Sequence, residues 1–203
     1  MVLDKVTKMM LDKAILFATF GVVAFASPQA DVDPTARFRV HGLEEIEPAF
    51  ASFQGKMYAG LLPFHLEGDN KEGEFMFWLF EPDEVEVDNS LSIYLSGGPG
   101  CSSIGTGNFF GTGPIGVPHF SAGMVDPTPQ DASLVPNPDA WTKATYMLYV
   151  EQPASTGFSY GPLPNTEEDV ARDMYNFLIN FFNTFQHLKD RDLFLWGKQQ
   201  FFV

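Results

Sequence analysis

Across 203 residues the chain is 45% hydrophobic and 15% aromatic, with 21 Phe, which is too apolar for a disordered protein and enough for one folded domain. Its 26 acidic residues outnumber 12 basic ones, and the net charge of −14 disfavours nucleic acid and anionic membranes, which need clustered Lys and Arg. Internal repeats, heptads and low-complexity tracts are absent, so solenoids and coiled coils are excluded.

The first segment places Lys5, Lys8 and Lys13 ahead of an apolar run from Ala14 to Ala26 that ends in the small-x-small pattern Ala24-Phe25-Ala26. That layout predicts a secretory signal peptide over 1–26, cleaved near Ala26. A membrane anchor is the competing reading, but the run falls short of the ~20 residues a bilayer span needs. After cleavage no membrane partner is expected. No Asn-x-Ser/Thr glycosylation site occurs, and Cys101 is the only cysteine, an odd count for an oxidising compartment.

A polar leader over 27–47 precedes the first strand signals. Lys56–Leu62 and Glu74–Phe80 read as strands, and the turn-rich Glu67-Gly68-Asp69-Asn70 between them predicts a hairpin. A third strand, Leu91–Leu95, runs into the glycine-rich string Ser96-Gly97-Gly98-Pro99-Gly100-Cys101-Ser102-Ser103. From Gly111 to Asp139 six prolines, including Pro114, Pro127 and Pro138, break the pattern too often for regular structure.

Ala144–Val150, apolar on both faces, suits a buried parallel strand. A helix comes next, with Asn165 or Thr166 as its cap and Glu167, Glu168 and Asp169 at its positive end. Its stripe of Val170, Met174, Phe177, Leu178, Phe181, Phe182 and Phe185 has helical spacing and reads as core. Leu193–Trp196 is a last short strand ending at Gly197. Strand, helix, strand after an antiparallel hairpin predicts an open α/β sheet, whose sites lie beyond the carboxyl ends of the strands.

The loop after the third strand occupies such an end. Adjacent glycines let the backbone turn with no side chain over an amide N–H, which suits binding an oxyanion. Taken alone, Gly-Gly-Pro-Gly is a common turn. A phosphate loop is a weaker reading still, because the loop has no Lys and does not match Gly-x-x-x-x-Gly-Lys-Ser/Thr. His41, His65, His119 and His187 have no metal-ligand spacing, and neither metal nor cofactor is expected.

Three segments in order carry a resemblance. The string Leu91–Ser103, the stretch Asn137-Pro138-Asp139-Ala140-Trp141 and the stretch Gln152-Pro153-Ala154-Ser155-Thr156-Gly157-Phe158-Ser159-Tyr160 are similar to segments of the serine carboxypeptidases, which are α/β-hydrolases. The resemblance runs from about Phe50 to Gly197. It implies a partial α/β-hydrolase sheet over 48–203, an antiparallel hairpin and then parallel strands with a helix, that stops at the nucleophile elbow. It also implies a secreted or vacuolar protein acting on the C-terminus of peptides or proteins. Gly98, with Gly97, would supply one oxyanion N–H, and Cys101 would pair with a downstream cysteine.

The chain departs from the family at the elbow, where Gln199 stands at the position of the serine nucleophile and Lys198 at that of a carboxylate-binding Glu. The acid and histidine of this fold come after the nucleophile, so no triad assembles within these residues and the chain is expected to be inactive. Ser96 replaces an Asn that helps hold the substrate carboxylate, and its hydroxyl offers one donor instead of two. Gly157-Phe158-Ser159-Tyr160-Gly161 fits Gly-x-Ser-x-Gly, but without a strand directly before it and a helix directly after it Ser159 reads as a turn residue. Ser102 and Ser103 read as loop hydroxyls, and Glu151 as a structural carboxylate. An acyltransferase on the same scaffold and a non-catalytic peptide-binding fragment are the alternatives.

Overall fold

The computed structural model describes residues 33–68, 72–82, 89–117 and 134–198. The signal-peptide segment, Gln199, and Asp69 and Asn70 of the expected turn lie outside them. The core is a five-stranded sheet of β1 (Lys56–Pro63), β2 (Glu74–Glu81), β3 (Ser90–Ser96), β6 (Tyr146–Val150) and β7 (Asp192–Lys198), in the order β1-β2-β6-β3-β7. β1, β2 and β6 pair antiparallel in succession, and β6, β3 and β7 run parallel. The expected α/β sheet, hairpin first and parallel strands after it, is the one observed.

Each strand of the middle serves two cores, because successive side chains point to opposite faces. On β2, Phe75, Phe77 and Leu79 join one apolar cluster, while Phe80 joins the other. β6 divides the same way, Leu148 and Val150 facing the first cluster and Met147 and Tyr149 the second. This double burial is why these strands read as continuous apolar runs.

The first cluster is closed by the helix after β6. Leu43–Ile46 forms a short α1, and Glu167–Thr184 the long α2. Thr166 caps α2 by accepting the Asp169 N–H at 3.1 Å, as its sequence predicts. Phe177, Phe181 and Phe185 are fully buried, and Phe181 meets Phe77 edge to face at 5.8 Å. Residues 33–47 also pack on the sheet: Phe38 enters the first cluster, and the Val40 N–H bonds the Met57 carbonyl at 2.9 Å.

One expectation fails in part. The proline-rich stretch contains paired backbone at its described ends, where β4 (Ile115–Gly116) and β5 (Val135–Pro136) form a short antiparallel ladder. Ahead of it Ser103–Thr112 coils into a π-helix, with the Gly113 N–H bonded to the Asn108 carbonyl at 3.0 Å. Two-residue strands escape a periodicity reading, since alternation needs four or more positions to register.

Candidate active site

β3 lies between β6 and β7, with Leu91 and Ile93 completely buried. Its end is level with the end of β7: Leu95 is registered with Gly197, and Ser96 with Lys198. The glycine loop therefore begins beside the last residue of β7, beyond the carboxyl ends of two adjacent parallel strands.

Within the loop Gly97 is buried and Gly98 exposed. Gly98 has φ +142°, and a Cβ built there would lie 3.0 Å from the Cys101 Sγ. Only glycine is relaxed in such a conformation. The Gly98–Pro99 peptide bond is cis, and Cys101 is a free, exposed thiol.

The loop is held by hydroxyls. The Ser96 N–H donates to Ser103 Oγ at 2.9 Å, while the Ser96 Oγ lies 2.5 Å from Thr106 Oγ1. Thr106 spends its own proton on the Ser102 carbonyl at 2.7 Å. A hydroxyl has one proton to give, so in that pair Ser96 is the donor. Ser96 is itself only 3% exposed.

Ser102 caps the π-helix by accepting the Gly105 N–H at 2.7 Å and donates to Glu151 Oε1. Glu151 is 1% exposed, and its Oε2 accepts the Phe158 N–H at 2.7 Å. Gly157, at φ +53°, makes room for that carboxylate, since a Cβ there would sit 1.8 Å from Oε2. Glu151 is thus a satisfied structural carboxylate that ties the glycine loop to the segment after β6.

Ser159 is a strut, as the context of its Gly-x-Ser-x-Gly match predicts. It is 5% exposed, donates to the Glu151 carbonyl at 2.5 Å and accepts the Met76 N–H at 2.8 Å. The next helix begins only at Glu167, so the strand–turn–helix geometry of a nucleophile elbow is missing.

The Asn-Pro-x-x-Trp segment fixes the far end of the π-helix and packs on β3 and β7. Asn137 donates to the carbonyls of Gly113 at 2.8 Å and Gly111 at 3.1 Å, fixing the end of the π-helix. Trp141 packs edge to face on Trp196 at 5.1 Å and on Tyr94 at 6.4 Å. Beneath them Tyr149 bonds Thr112 at 2.8 Å, and burial raises its phenol well above its ordinary value, so it stays neutral.

Of the residues singled out from the sequence, Ser96, Gly97 and Gly98 come together at the end of β3. Thr106 and the Ser102–Glu151 link were not foreseen. Ser102 and Glu151 are 49 residues apart in sequence, and a hydroxyl–carboxylate pair at that separation has no linear signature. His187 pairs with Glu81 at the end of β2, at 2.7 Å. Among the described residues no group of three or more His, Cys, Asp or Glu could hold a metal.

The family model for serine carboxypeptidases matches residues 48–199. Serine carboxypeptidase-like 42 of Arabidopsis thaliana is 38% identical over 148 residues, covering 70% of this chain and 28% of that protein. A carboxypeptidase Y homolog of Arthroderma benhamiae is 39% identical over 145 residues, covering 71% of this chain and 26% of the relative. Among solved structures, a prohormone-processing carboxypeptidase of Saccharomyces cerevisiae superposes with a TM-score of 0.66 at 29% identity, over 80% of this chain and 35% of the other. The chain spans about a third or less of the length of these relatives. With the glycine loop, the Asn-Pro-x-x-Trp brace and the Gln-Pro segment arranged around one end of an α/β-hydrolase-type sheet, the chain belongs to the serine carboxypeptidase family.

Proposed function

We propose that this chain carries the oxyanion-binding side of a serine-carboxypeptidase active site and does not itself cleave peptides. The observation that supports the reading is the level ending of β3 and β7: Ser96, two residues before Gly98, is registered with Lys198, the residue before Gln199. In acyl transfer by a serine enzyme, backbone N–H groups stabilise the oxyanion formed as the hydroxyl attacks the carbonyl. Gly98, with Gly97 behind it, is our candidate for one such donor. Gln199 comes after β7 in the position that family resemblance gives to the serine, and a carboxamide is no nucleophile. The substrate class would be the C-terminal peptide bond of peptides or proteins, met in the secretory pathway if residues 1–26 act as a signal peptide.

A test is a hybrid enzyme in which residues 48–197 of this chain are joined to the remaining segments of an active relative. Hydrolysis of a blocked dipeptide is expected, and Gly98→Ala should lower kcat by about 10² to 10³. A hybrid whose kcat is indifferent to Gly98→Ala, with the variant melting as a folded protein, would refute the assignment.

A second reading rests on Ser96. Its buried hydroxyl is engaged with Thr106, an arrangement that favours a loop-fixing role over a grip on a peptide carboxylate. Under that reading the ancestral activity is acyl transfer on the same scaffold, and the hybrid would turn over an acyl-sugar ester faster than the dipeptide.

A further inference from the structure

The network that holds the glycine loop contains one charged group, the buried carboxylate of Glu151. A carboxylate is costly to bury unless hydrogen bonds satisfy it, and bonds to an ionised oxygen are about twice as strong as those between neutral groups. The Glu151 backbone is anchored to the sheet, its N–H donating to the Met76 carbonyl at 2.9 Å and its carbonyl accepting the Ser159 hydroxyl at 2.5 Å. Glu151 is therefore a fixed post, and the bond from the Ser102 hydroxyl ties the loop to it.

Both ends of the loop are clamped. At the entrance the Ser96 N–H donates to Ser103 Oγ and the Ser96 hydroxyl to Thr106 Oγ1. At the exit the Ser102 carbonyl accepts both the hydroxyl of Thr106 at 2.7 Å and its N–H at 2.8 Å. Between these clamps Gly98, Pro99, Gly100 and Cys101 make no hydrogen bond among the described residues. The direction of the Gly98 N–H is thus set by where the two ends are held. Thr106 joins the ends to each other, and Glu151 joins the exit to the segment after β6.

We propose that Glu151 is a positioning residue: resting on the reading of Gly98 as an oxyanion donor, it acts through Ser102 to keep the Gly98 N–H aimed at the developing oxyanion. Such a donor has its full effect only when preorganised, and a displacement of about 1 Å can cost about 10²-fold in rate. The role needs a link and not a negative charge. Glu151→Gln keeps that link, its amide oxygen accepting from the Phe158 N–H and its NH2 donating to the Ser102 hydroxyl, which has two lone pairs.

In the intact chain, amide exchange reads the link with no catalysis involved. Glu151→Ala should speed exchange at the Ser96 and Thr106 amides about tenfold or more, although neither is bonded to Glu151. Glu151→Gln should keep both within about threefold, and Thr166→Ala, which loosens the distant start of α2, should leave them unchanged. In the hybrid of residues 48–197, Ser102→Ala and Glu151→Ala should each lower kcat about 10- to 10²-fold with KM unchanged, the signature of an interaction made only in the transition state. Glu151→Gln should keep kcat within about threefold of the hybrid. Added to Gly98→Ala, either alanine change should cost little more, since the amide it positions is already displaced.

Folded Glu151→Ala and Ser102→Ala hybrids with full kcat, beside a Gly98→Ala hybrid that has lost it, would overturn the positioning role and leave the oxyanion reading standing. A Gly98→Ala hybrid with full kcat would overturn both. A loss in Glu151→Gln as deep as in Glu151→Ala would assign the effect to the charge and refute the link. For a hybrid without turnover the exchange rates decide alone: unchanged exchange at Ser96 and Thr106 in Glu151→Ala overturns the proposal.

Discussion

Glu151 is the residue on which most of the loop architecture converges. Its carboxylate joins Ser102 of the glycine loop to the Phe158 N–H, and its carbonyl takes the Ser159 hydroxyl. Glu151→Ala should leave that amide unpaired and cost about 1 to 3 kcal/mol, read as a lower urea midpoint with unchanged slope. Ser159→Ala removes the acceptor of the Met76 N–H and should cost about the same, roughly 1 to 3 kcal/mol. The turn role of Ser159 could be anticipated from its surroundings, because an elbow needs a strand and a helix that Pro153 and Pro162 exclude. The pairing of Ser102 with Glu151 could not, since it depends on two segments meeting only after the sheet has formed. Ser96 stands between these cases: its departure from the family pattern is visible in sequence, but its bond to Thr106 is not.

At the scale of elements, strong periodicity and end signals made α2 and the sheet strands legible. The Thr166 cap, the acidic first turn and the Phe177–Phe181–Phe185 stripe all appear where their chemistry requires. Thr166→Ala should cost about 1 kcal/mol by orphaning the Asp169 N–H. The Arg172 side chain and the Asn165 N–H hold the Asp169 carboxyl below its ordinary value of 3.8. A lowered value in the folded state means that the unfolded chain binds the proton more tightly. That contribution is present at neutral pH and is lost as pH falls through and below 3.8. Asp169→Asn should therefore lower stability near neutrality and flatten its fall in acid, checked by urea midpoints at about pH 7 and about pH 3. The π-helix and the β4–β5 ladder were illegible for the opposite reason. Their backbone is fixed by distant partners such as Asn137 and Tyr149 and not by a local repeat.

For the molecule as a whole, the glycine loop leaves the carboxyl end of β3, and strand register sets that end level with the end of β7. Gly98 sits just after β3 in a conformation that only glycine holds easily, in a loop tied to the segment after β6 through Ser102 and Glu151. Fold class and family were readable from the order of three short segments, and the superposition and family match agree with them. The level ending of β3 and β7 required the structure, because register between strands about a hundred residues apart leaves no trace in either strand alone. The most direct test is to treat the purified 203-residue chain with a fluorophosphonate probe and map any adduct by mass spectrometry. No labelled serine and no release from a blocked dipeptide are expected; an adduct at any serine, Ser159 included, would contradict a chain that holds the oxyanion loop without a nucleophile.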